Sequence, residues 1–121
     1  MRHALVIAAI LAALAAPAAA GAKFLSVIED LPLMPGLVED TASAMSFDGP
    51  TGRIVEAYAA GGVDAGAIAT FYSETLPQLG WRAGAAGEYG RDGEVLRIDI
   101  GPAEAAGNGA GVRFTLRPQG R

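Results

Sequence analysis

The sequence predicts an α+β domain: an antiparallel sheet of four or five strands with one amphipathic helix packed on one face, in the order β-β-α-β-β-β. Three observations lead there. Ile68, Phe71, Tyr72, Thr75, Leu76 and Leu79 recur at steps of three or four, the spacing of a single helical stripe. EVLRIDI and VRFTLR alternate apolar and polar residues, the period of a strand buried on one face. Elements that are each apolar on one side bury one another by stacking in two layers.

Along the chain, the first element is a targeting segment. MRH is a short basic start, Ala4 to Ala16 is unbroken apolar, and PAAAGA follows with small residues at Ala18 and Ala20. This is the layout of a secretory signal peptide, residues 1–20, with cleavage after Ala20 and a cut after Ala22 as the alternative. A retained membrane anchor over Ala4 to Ala22 is opposed by Pro17 and by the cleavage-competent alanines. No stable membrane insertion is expected after cleavage, and the chain is placed in the periplasm or secreted. With no cysteine in the sequence, neither a lipid-bearing thiol nor a disulfide is available.

Residues 21–42 form an extended, proline-containing segment. Pro32, Pro35 and Gly36 are spaced so that neither a long helix nor a central strand persists, and Leu31, Leu33, Met34, Leu37 and Val38 are apolar enough for some of them to dock on the core. The α+β domain then spans residues 43–118. SAMSF and RIVEAYAAG flank DGPTG as a hairpin, although alternation in the second strand leaves open which of its faces is buried. Asp64 is placed to cap the helix N-terminus and Gly80 to close its C-terminus. Trp81 to Arg91 returns as a strand weakened by Gly84 and Gly87. A turn at Arg91-Asp92-Gly93 leads into EVLRIDI, GPAEAAGNGAG is a loop, and VRFTLR is the last strand.

Composition excludes several functions. After removal of residues 1–20, eight basic residues face thirteen acidic ones, a net charge of −5, so nucleic acid is not an expected partner. A chain of about 100 residues holds one core and buries roughly 60–65% of its unfolded surface. The only histidine is His3, inside the targeting segment, so the mature chain has no Ser-His-Asp triad, Cys-His pair or usual zinc site. No enzymatic activity and no cofactor are expected. Glu88, Asp92, Glu94 and Asp99 match neither a calcium loop nor a two-carboxylate glycosidase, and read as turn and surface charges.

Four residues remain as candidates for ligand or partner binding. Tyr72 and Trp81, within FYSETLPQLGW, either fill the core or line an apolar pocket under the helix, with the hydroxyl and the indole N–H as polar handles. Arg113 and Arg117 share an outer sheet face with Arg97 and Asp99 if the last two strands pair, and are either ordinary solvated charges or an anion-binding strip.

The targeting segment, LPLMPGL, GRIVEAYAAG and FYSETLPQLGW together resemble an uncharacterised group of small exported bacterial proteins with an LPxMPGL, GRIxEA, FYxxxLPxLGW pattern, over residues 31 to 117. The resemblance implies export and an α+β fold, and no activity. The function expected is therefore non-enzymatic binding of another cell-envelope component. The alternative is binding of a small apolar ligand near Tyr72 and Trp81.

Overall fold

The computed structural model describes residues 23–103 and 109–120. The apolar N-terminus that carries the signal-peptide expectation, and residues 104–108 of the glycine-rich loop, lie outside the described residues. Those described form a mixed α+β fold with strands β1 (Val38–Glu39), β2 (Met45–Gly49), β3 (Gly52–Gly61), β4 (Arg82–Ala83), β5 (Glu88–Arg91), β6 (Glu94–Pro102) and β7 (Ala110–Pro118), and one α-helix, α1 (Ala65–Gln78). A short 3-10 turn at Thr41–Ser43 joins β1 to β2.

All pairings are antiparallel, in the order β1-β3-β7-β6-β5-β4, and β2 pairs with the same margin of β3 as β1 does. The long central strands hold the sheet together: β3 aligns Val55 with Leu116 and Ala59 with Val112, and β6 aligns Leu96 with Leu116 and Ile100 with Val112.

The sheet thus has seven strands among the described residues, not four or five. Two local causes account for the difference. The segment expected to stay extended contributes β1, pairing Val38 with Ala60 and Glu39 with Ala59. The single strand expected over Trp81 to Arg91 is two strands, β4 and β5, paired to each other through Arg82 with Gly90 and Ala83 with Tyr89. Gly87, at φ 79°, occupies a backbone region that side-chain-bearing residues rarely adopt, and the chain reverses there. The turn is closed by the Glu88 N–H on the Ala85 carbonyl and the Gly84 N–H on the Glu88 carbonyl.

The other turns follow from their residues. Asp92 and Gly93, at φ 51° and 80°, form a two-residue hairpin turn of the primed type that matches the twist of β5 and β6. In α1, Asp64 accepts a hydrogen bond from the Gly66 N–H at 2.9 Å, as an N-cap should. At the other end the Gly80 N–H bonds the Pro77 carbonyl and the Trp81 N–H bonds the Leu76 carbonyl, with Gly80 at φ 92°. This Schellman closure directs Trp81 back under the helix.

One face of the sheet carries the core. Val55, Ala57 and Ala59 from β3, Leu96 and Ile98 from β6, and Ala110, Val112, Phe114 and Leu116 from β7 are buried there. The helix lays Ile68, Tyr72 and Leu76 on it, each essentially without solvent exposure. Leu79 lies off this stripe and is exposed, because it is the residue at which the helix unwinds. Burying the three stripe side chains contributes roughly 5–8 kcal/mol before entropy is subtracted.

The N-terminal residues complete this layer: Leu25, Ile28, Leu31 and Leu37 are buried in the same core, whereas Val38 is 72% exposed. Their path is set by a turn at Met34-Pro35-Gly36-Leu37, where the Leu37 N–H bonds the Met34 carbonyl and Gly36 takes φ 99°. Proline then glycine at the two central positions is the signature of a type II turn. No helix among the described residues is long and apolar enough to cross a membrane.

Candidate functional site

Tyr72 and Trp81 are both interior, at 1% and 2% exposure. The Tyr72 ring packs edge-on against Phe71 at 4.8 Å and Phe114 at 5.3 Å between centroids, arrangements that suit the charge distribution of aromatic rings. Its hydroxyl has two protein partners. It donates to the Pro32 carbonyl at 2.8 Å and accepts from the Met34 N–H at 3.1 Å, tying the helix to the N-terminal segment. Burial pushes the phenol pKa up to about 12, partly offset by the Met34 N–H, which favours the ionised form.

The Trp81 environment differs. Its Nε1 is buried and has no hydrogen-bond partner among the described residues. The Arg91 guanidinium lies 4.2 Å from the ring centroid, within cation–π range. Arg91 also donates to the Leu79 carbonyl at 2.9 Å and to the Asp30 carboxylate at 2.6 Å. One arginine therefore links β5, the end of the helix and the N-terminal segment over the indole. Nothing in the local sequence pattern marks Arg91 for this task, since Asp30 lies far away along the chain.

Arg113 and Arg117 lie on the opposite, outer face. The register places Asp99 beside Arg113, Thr115 beside Arg97 and Val95 beside Arg117, so the expected common face exists. The arginines there have carboxylate partners. Arg97 reaches Asp99 at 3.1 Å and Glu88 at 3.3 Å, Arg117 reaches Glu88 at 3.5 Å, and Arg113 reaches Asp99 at 3.8 Å. The Arg113 pKa is raised by the hydroxyl of Tyr58, which itself donates to Glu56, and by Asp99. An anion arriving at this strip would have to compete with Glu88 and Asp99.

The same outer face includes apolar residues that sequence reasoning missed. Phe47 pairs with Ile54 and Met45 with Glu56, which puts Phe47 and Met45 on the side away from the helix, 54% and 50% exposed. The signal was present as the alternation Met45-Ser46-Phe47-Asp48. It reads as a strand with a buried face, but in the sheet the apolar set points outward, because Val55, the neighbour of Ile54, takes the inward position. Ile54, Tyr58 and Val95 are half-buried on this outer face.

The carboxylates weighed for chemistry do not converge. Glu88 and Asp99 serve outer-face arginines, Glu94 holds Arg53 at 3.0 Å across the inner side, and Asp92 forms the β5–β6 turn. Among the described residues no three His, Cys, Asp or Glu side chains gather as a metal-binding group. An open depression of about 700 Å³ at the turn end of the sheet is lined by Thr51, Gly93, Pro118, Gln119 and Gly120, with no ionisable side chain. Comparison with protein-family models, with curated proteins and with solved structures returns no match for this chain.

Proposed function

We propose that this chain is an exported, non-enzymatic α+β domain that acts by binding another component of the cell envelope, with the outer face of its sheet as the contact surface. The observation that carries the proposal is that outer face. No described element packs over it, yet it presents exposed Met45 and Phe47 beside half-buried Ile54 and Tyr58, bordered on the β7 side by Arg113 and Arg117, beyond which lies Val95. Apolar and aromatic side chains rimmed by polar groups are the composition of a protein-contact surface. Export is supported by the basic start, apolar run and small residues of the N-terminus.

Chemical crosslinking in intact cells, followed by recovery of this chain, tests the proposal. A protein recovered with the natural chain, and lost when Tyr58→Ala and Arg113→Gln are combined, is the expected result. No crosslinked partner for the natural chain, or equal capture by the variant, would overturn it.

One observation favours a second reading, a small apolar ligand near Trp81: the indole N–H is buried and has no acceptor among the described residues. Such a ligand would have to supply that acceptor, since the Tyr72 hydroxyl is occupied by Pro32 and Met34. Native mass spectrometry distinguishes the two, because only a ligand carrier retains an additional mass.

A further inference from the structure

The sheet has two dissimilar margins. At one, β4 is two residues long and begins with Arg82, and shortness and charge are ordinary ways of blunting a sheet edge. At the other, β2 runs five residues, Met45-Ser46-Phe47-Asp48-Gly49, with no proline, lysine or arginine and no bulge in its register with β3.

The phase of the β2–β3 hairpin decides which backbone groups face outward. Gly49 and Gly52 close a two-residue turn and so form a hydrogen-bonded pair. Pairs alternate along an antiparallel ladder, so Phe47 and Met45 also direct their N–H and C=O groups at β3. The N–H and C=O of Ser46 and of Asp48 therefore point away from the sheet. None of the four has a hydrogen-bond partner among the described residues.

We infer that β2 is an association edge that pairs antiparallel with β2 of a second copy of this chain, about a two-fold axis through Phe47. The order of groups along the strand is self-complementary about that residue. Ser46 lies opposite Asp48 of the second copy, and the two exchange N–H to C=O bonds on both sides of the axis, using all four outward groups. Phe47 meets Phe47 of the second copy in a non-hydrogen-bonded position, where Cα atoms approach to about 4.5 Å. Met45 lies opposite Gly49, which leaves room for its side chain.

Charge points to the same register, because each Asp48 faces a serine and the two carboxylates are only diagonal neighbours, about 7–8 Å apart. The exposed Met45 and Phe47 of both copies then form one apolar strip across the joint. This inference does not rest on the proposed envelope partner, which occupies the sheet face and not its edge.

Sedimentation velocity of the protein purified from the cells that make it, over a wide concentration range, tests the pairing. A monomer–dimer equilibrium is expected. Ser46→Pro removes an outward N–H while leaving the bonds to β3 intact, and proline is tolerated on an edge strand in that position. Two bonds are lost per dimer, so association should weaken about thirtyfold.

Because the chain contains no cysteine, Phe47→Cys and Asp48→Cys give a second, independent measurement. Under mild oxidation Phe47→Cys should form a disulfide-linked dimer. Asp48→Cys should not, since its diagonal separation exceeds what a disulfide spans. Three results would each overturn the inference: a monomer at every concentration, a dimer indifferent to Ser46→Pro, or equal crosslinking at positions 47 and 48. Oxidative capture of a different protein by Phe47→Cys, with no self-association of the natural chain, would keep the edge and reject the second copy as its occupant.

Discussion

Tyr72→Phe removes one oxygen and leaves the packed ring in place, so it isolates what the hydroxyl does. That oxygen accepts from the Met34 N–H and donates to the Pro32 carbonyl, and without it both backbone groups lose a partner inside a partly buried strip. Two net hydrogen bonds of this kind contribute about 2 kcal/mol together, which in a domain of this size lowers Tm by about 10 °C. No cavity term is added, because the ring contacts with Phe71 and Phe114 persist.

The hydroxyl also makes the natural protein sensitive to alkali. With its pKa pushed up to about 12 in the fold, the neutral phenol is the stabilised form. This contribution is complete below the unfolded-state pKa of about 10 and disappears as pH rises to about 12, a loss of roughly 2–3 kcal/mol. Denaturant titrations of both proteins from neutral pH to this range, with hydrogen exchange at the Met34 amide, measure the two effects. The variant should be less stable at neutral pH, flatter in alkali and faster in exchange at Met34. A neutral-pH loss under about 0.5 kcal/mol with unchanged Met34 protection would refute the reasoning.

Other substitutions probe independent parts of the fold. At Gly61 an added Cβ would overlap the carbonyl oxygen of Gly36, a backbone-to-backbone approach that cannot yield without displacing the N-terminal turn. Gly61→Ala should therefore cost about 2–3 kcal/mol in urea unfolding, while Gly62→Ala, which meets nothing nearby, stays within about 0.5 kcal/mol. Asp64→Ala removes the helix cap and should cost about 1 kcal/mol, with Asp64→Asn restoring most of it. Arg91→Met should shift the emission of the only tryptophan and lower stability by about 1–2 kcal/mol, as the indole loses its cation and Leu79 and Asp30 lose their donor. Arg113→Gln with Arg117→Gln should leave the unfolding midpoint unchanged within experimental error, because these ion pairs are solvated.

The features legible in the sequence are those set by short-range geometry. Helical spacing places Ile68, Tyr72 and Leu76 on one stripe, Asp64 and Gly80 mark the ends of the helix, and Asp92-Gly93 marks a hairpin turn, because each depends on residues a few positions apart. Alternation in β6 and β7 likewise separates Leu96, Ile98, Phe114 and Leu116 from Arg97, Asp99, Arg113 and Arg117. Absences of residue type are equally independent of fold: no arrangement supplies a cysteine to a chain that has none.

Only the tertiary structure decided where those faces lead. Period-two alternation divides β2 and β3 into two sides without saying which is inside. Pairing with β7 turned Val55, Ala57 and Ala59 inward and left Met45 and Phe47 in solvent. The same holds for the two aromatic candidates. The hydrogen-bond partners of Tyr72 come from the N-terminal segment, and Arg91, which reaches Trp81 across the β4–β5 pairing, is anchored by Asp30 of that same distant segment. Local spacing constrains the direction of a side chain relative to its neighbours, whereas its partner depends on which strands meet, a contest of burial and loop closure settled by the whole chain at once.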